Sequence, residues 1–81
     1  MIKSTSDLNE RAQRLIGQGW LPQAEPESTW GGYGTFEPCH LCRDPILPSE
    51  VEYEVRYGTA AYRFHFACHT AWLNGRGCKR V

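Results

Sequence analysis

Between residues 51 and 57 the chain reads VEYEVRY, apolar or aromatic at each odd position and charged at each even one. Successive side chains of a strand point to opposite faces. The alternation therefore predicts a half-buried strand, with Val51, Tyr53, Val55 and Tyr57 inside and Glu52, Glu54 and Arg56 in solvent. Glu50, Glu52 and Glu54 read as solvated charges rather than as catalytic bases. Gly58 and Thr59 suit a tight hairpin turn, and residues 61–65 form the returning strand. A different period marks residues 6–17. There Leu8, Ala12, Leu15 and Ile16 fall on one helical stripe, Ser4, Thr5 and Ser6 offer capping hydroxyls, and Gly17 and Gly19 stop the helix. A second, shorter helix is expected over about 66–74, ended by Gly75. Residues 20–38 carry three prolines and three glycines and read as an extended connector with turns.

Composition changes the picture in one respect. With 81 residues, 41% of them hydrophobic and 12% aromatic, the chain predicts one compact domain over 1–81. A core of this size generally needs a disulfide, a metal or a partner. Nine basic residues balance nine acidic ones, which argues against a protein built to grip a long duplex through its phosphates. Arg11 and Arg14 read as solvated surface, and Arg76, Lys79 and Arg80 as a weakly basic tail over 76–81. No signal-like run opens the sequence, and no stretch approaches the ~18 apolar residues that span a bilayer. The expectation is a cytoplasmic protein with reduced thiols. Four cysteines then point to metal or redox chemistry before disulfides.

The cysteines fall into hooks. Cys39 and Cys42 are separated by two residues. After 22 more come His65 and Cys68, again two apart. Zinc takes four soft or borderline donors in a tetrahedron, and each two-residue gap lets a turn or a first helical turn aim both donors at one point. The hairpin between the hooks brings them together, as in a treble-clef module: a Cys-x-x-Cys turn, a β-hairpin, and a helix whose first turn gives the last donors. The expected set is Cys39, Cys42, His65 and Cys68 around Zn2+, forming a zinc module over 39–75. Two alternatives stay open: His69 replacing Cys68, or Cys78 replacing His65. His40, between two ligands, is expected to face solvent. A thioredoxin-like redox role for the Cys-x-x-Cys pair lacks its βαβ context.

CHLC … FHFAC resembles the Cys-x-x-Cys … His-x-x-Cys half-module of LIM domains. It is also similar to zinc fingers of the poly(ADP-ribose) polymerase type, where an aromatic residue closely follows the last cysteine. The resemblance covers about residues 37–74 and implies structural zinc. The stretch WGGYGTFEPCHLCRDPILPSEVEYEV also looks like small uncharacterised bacterial proteins, which adds no function.

TWGGYGTF sets Trp30, Tyr33 and Phe36 three apart in a glycine-rich run. The preferred expectation is a strap covering the zinc core; the rival is a face that stacks on a peptide or on bases. Trp72 is expected in the core, and Trp20 either anchors the first helix or belongs to a partner site. The functional expectation is a non-enzymatic protein-interaction adaptor with structural zinc. The alternative is a nucleic-acid-binding regulator using Trp30, Tyr33, Phe36, Arg76, Lys79 and Arg80. A third class is a metal or redox sensor with Cys78 as a spare thiol.

Overall fold

The alternating segment becomes the central strand of the sheet. In the computed structural model, which describes residues 5–77, the elements in chain order are α1 (Thr5–Gly17), β1 (Ser28–Tyr33), β2 (Val51–Tyr57), β3 (Ala60–His65) and α2 (Phe66–Gly77). The three strands form one antiparallel sheet in the order β1-β2-β3. The chain is thus a small α+β fold. Lys79, Arg80 and the spare thiol of Cys78 lie outside the described residues, as does the hydroxyl of Ser4.

Gly58 and Thr59 make a two-residue turn, with Tyr57 opposite Ala60. Gly58 has φ of 60°, a backbone state that glycine adopts without a Cβ clash. α1 ends as its glycines suggest. Gly19 has φ of 84°, and the amides of Gly19 and Trp20 reach back to the carbonyls of Ile16 and Leu15 at 3.1 and 2.9 Å. This Schellman closure satisfies carbonyls that the helix itself leaves without partners. It turns the chain so that Leu21 enters the core.

α1 lays Leu8 and Ala12 against α2, and the core is completed by Leu41, Ile46, Val55, Phe64, Ala71 and Trp72. Trp72 is fully buried and stacks on Phe64, with ring centroids 5.3 Å apart. Its indole N–H donates to the Pro22 carbonyl at 3.0 Å, and the Arg76 guanidinium lies over the ring at 5.1 Å. Arg76 also donates to the Gln23 carbonyl. Pro22 and Gln23 are thereby tied to α2.

Four expectations are corrected here. The connector holds a strand: residues 28–33 pair with β2 along their whole length, from Ser28 opposite Arg56 to Tyr33 opposite Val51. Gly75 does not end α2. The helix runs to Gly77, and Gly75 lies where a Cβ would come within 3.0 Å of the Ile16 side chain and 3.6 Å of Ala12. The glycine marks the close approach of two helices rather than a terminus. The aromatic strap does not cover the core, because Trp30, Tyr33 and Phe36 are 63%, 82% and 63% exposed. Finally, Glu52 is 8% exposed rather than solvated. Its Oε1 accepts from the amide and hydroxyl of Thr35 at 3.1 and 2.9 Å, and its Oε2 faces Arg63 Nε at 3.1 Å. The loop after β1 folds across the sheet's second face and covers this carboxylate.

Candidate metal centre

The Cys-x-x-Cys turn is built by its flanks. Phe36 N donates to Ile46 O at 2.8 Å, Ile46 N to Glu37 O at 3.0 Å, and Pro38 bridges Pro45. These contacts make residues 39–44 the tip of a narrow loop. Within the tip, Cys39 N bonds to Asp44 O and Arg43 N to Cys39 O, both at 2.9 Å. Arg43 takes φ of 74° to close the turn. Gly34 permits the loop to fold, since a Cβ there would collide with the carbonyls of Ile46 and Leu47.

The second hook straddles the junction of β3 and α2. His65 ends the strand and Cys68 lies in the first turn of the helix. Cys39, Cys42, His65 and Cys68 converge, with their donor atoms all within 4.8 Å of one another. Around a tetrahedral zinc, donors stand roughly 3.5–3.8 Å apart, so a small inward movement closes the site. Cys39 and Cys68 are buried, while Cys42 and His65 are partly so. Three sulfurs and one imidazole can hold a soft or borderline metal ion.

The geometry also assigns the imidazole nitrogens. His65 Nδ1 faces Cys42 Sγ at 3.4 Å, inside the cluster. Nε2 points out, 3.2 Å from the Pro45 carbonyl and 3.3 Å from Glu50 Oε1. With Nε2 carrying the proton, the lone pair on Nδ1 is free for a metal, and the outer partners fix the ring. Glu50 is itself held by the Leu47 amide at 2.9 Å. It therefore positions His65 rather than standing free in solvent.

The sulfurs share their protons unequally. Cys39 is lowered to about 4, first by the hydrogen bond from the Cys68 thiol, then by backbone amides including that of Leu41, against the cost of burial. Leu41 N lies 3.4 Å from Cys39 Sγ. Cys68 is raised because it donates to Cys39 and because it is buried. Burial also raises Cys42. For His65, burial favours the neutral ring, but the Cys39 thiolate and Glu50 outweigh it and the net direction is up. The cluster thus holds one thiolate readily, and a dication stabilises further thiolates while displacing protons.

His69 stays outside this set. Its ring stacks on Tyr53, with centroids 4.5 Å apart and an interplanar angle of 15°. Burial, then Arg76, lowers its pKa and favours the neutral ring. His40 corrects another expectation, being half-buried rather than solvent-facing. Its backbone N–H donates to the Arg63 carbonyl at 2.8 Å, and its Nδ1 accepts the Arg63 amide at 2.9 Å. The first of the two residues between the cysteines thereby clasps the outer edge of β3 and locks the turn to the hairpin. Only a tertiary contact makes it a clasp, so no local sequence signal marks it.

The partner-site candidates fall in different places. Trp30 and Tyr33 lie on edge strand β1, Phe36 follows in the loop with φ of 70°, and Arg76 rests on Trp72. Trp20 lies 70% exposed and lines a cleft of about 340 Å³ with Arg11, Leu15, His40 and Arg43. Arg11 is anchored there by a 2.7 Å bond to the Leu41 carbonyl. No described helix is long and apolar enough to cross a membrane. Comparison with protein-family models, with curated proteins and with solved structures finds no match to this chain.

Proposed function

We propose that the chain is a zinc-stapled module of treble-clef type that serves as a non-enzymatic protein-interaction adaptor. The observation that carries this reading is the convergence of Cys39, Cys42, His65 and Cys68 at the junction of turn, hairpin and helix. Zinc is the metal this donor set suits best. Four protein donors complete its tetrahedron and leave no position for a reacting water, so the ion acts as a staple. Structural zinc contributes on the order of 10 kcal/mol to folding, comparable with the whole stability of a small domain. With the core held by metal, the aromatic residues on β1 are free to face a partner. Their surroundings favour protein over nucleic acid: from Trp20 to Cys42 the sequence has no lysine or arginine but has Glu25, Glu27 and Glu37.

Elemental analysis and native mass spectrometry of gently purified protein test the staple. One zinc per chain, with loss of the fold on chelation, supports it; a metal-free folded chain refutes it. Affinity capture with and without nuclease, repeated across a salt series, tests the adaptor role. Partners that are protein and persist at physiological salt support it. Binding that needs nucleic acid and weakens steeply with salt favours the regulator instead.

A further inference from the structure

The two edges of the sheet differ. Gly34 N donates to Glu50 O at 2.9 Å, and Gly34–Glu50 continues the β1–β2 register. Bonded and non-bonded pairs alternate along an antiparallel ladder. Gly32–Glu52 and Trp30–Glu54 are then the bonded pairs, and the N–H and C=O groups of Thr29, Gly31 and Tyr33 point away from β2. No hydrogen bond from a described residue reaches them. On the opposite edge the same kind of group, at Arg63, is closed by His40. Exposed edges invite pairing and are usually blunted by charge, proline or cover. Ser28–Tyr33 carries neither charge nor proline, no described residue covers it, and all six of its residues are exposed.

Beside this edge lies a notch of about 140 Å³ lined by Trp30, Gly31, Gly32, Tyr33, Glu52 and Glu54. Gly32 supplies no side chain to fill it. Glu52 is 8% exposed and held by Thr35 and Arg63, so the carboxylate open to a ligand is Glu54, whose ion-pair partner among the described residues, Arg56, is half exposed. An indole beside a carboxylate suits a lysine or arginine side chain. The glutamates flanking β1 act in the same direction.

We propose that β1 is a docking edge for an extended, basic segment of a partner protein, which adds as a fourth strand and seats a cationic side chain between Trp30 and Glu54. The proposal rests on the reading of the chain as a protein-interaction module and names the chemistry of its partner. Backbone bonds to Thr29, Gly31 and Tyr33 supply affinity, and the notch supplies selection.

The test uses the zinc-loaded full chain and short synthetic peptides, followed by amide NMR and hydrogen exchange. A peptide alternating lysine and valine is expected to bind and to slow exchange at Thr29, Gly31 and Tyr33, but not at Trp30 or Gly32, whose amides are already bonded. Its glutamate-for-lysine counterpart is expected to bind at least about tenfold more weakly, the equivalent of about 1.4 kcal/mol. Gly31→Pro removes one outward N–H without touching the β1–β2 ladder and is expected to weaken binding about tenfold or more. Should that variant not fold, peptides N-methylated at alternate amides replace it; one alternation is expected to block binding and the other to be tolerated. Equal binding of both charge forms, shifts away from β1, or concentration-dependent protection of β1 without peptide overturns the proposal, the last by showing a second copy of the chain on this edge. If zinc and fold persist while every peptide fails, the docking edge falls and the adaptor reading stands. That reading falls separately, if captured partners prove to be nucleic acid.

Discussion

Glu52 and Glu54 look alike in the sequence and should behave differently. Glu52→Gln keeps the shape of the side chain but replaces one acceptor oxygen by a donor NH2. The amide oxygen can serve the backbone amide of Thr35 or the guanidinium of Arg63, not both, because each of these two groups can only donate. One charge-assisted bond is lost at a site 8% exposed, and a donor is left facing a donor. Hydrogen bonds to charged groups are worth ~1.5–3 kcal/mol, and at ~4–8 °C per kcal/mol for a domain of this size the melting temperature should fall by at least about 6 °C. Glu54→Gln is the control. Its 3.1 Å pair with Arg56 has side chains 50% (Arg56) and 19% (Glu54) exposed, and salt screens it. Such surface pairs contribute ~0–1 kcal/mol, so only a few degrees should be lost. Thermal melts by circular dichroism, at one fixed free-zinc concentration, measure both. A double-mutant cycle of Glu52→Gln with Arg63→Met should return a coupling of about 1 kcal/mol or more. Equal, small losses at the two positions would refute the buried network and return Glu52 to the solvated face that its alternation suggested.

Other perturbations separate the remaining roles. Cys39→Ala and His65→Ala should abolish stoichiometric zinc in native mass spectra, while His69→Ala should keep it; the reverse pattern would transfer the ligand role to His69. Gly75→Ala should be nearly neutral, since the 3.0 Å neighbour is the flexible end of Ile16. Gly75→Val should overpack the α1–α2 contact and cost ~1–3 kcal/mol in denaturant melts; a neutral valine would refute the tight crossing. Tyr57 has its pKa raised by burial, which outweighs the opposing charge of Arg76. A group protonated more firmly when folded stabilises below its unfolded pKa of 10.0 and loses that contribution as pH rises through the higher folded value. Spectrophotometric titration should show a late tyrosine component that is absent in Tyr57→Phe.

What could be read from one dimension were features whose cause is local. The two-residue spacings at Cys39–Cys42 and His65–Cys68 depend on the geometry of a turn and of one helical turn, and they survive intact in the cluster. The strand at 51–57, the Gly58 turn and the close of α1 at Gly17 and Gly19 are equally local, although the alternation misplaced the strand's first two residues, since Val51 is 44% exposed and Glu52 is buried. The features that escaped depend on what arrives from elsewhere in the chain. STWGGY carries no alternation, and it is a strand because β2 offers it a free edge. Glu52 lies on the charged face of its strand, and it is buried because the loop after β1 brings Thr35 across that face while Arg63 comes from β3. His40 lies between two ligand positions, and it is fixed because β3 leaves Arg63's backbone open beside it. Gly75 looks like a helix stop, and it is a contact point because α1 crosses there. Sequence by itself determined the donor spacing and the periodicities, since those follow from the backbone's own repeat. Only the tertiary structure decided which polar groups are covered and which edge is open, since burial and pairing depend on segments distant along the chain.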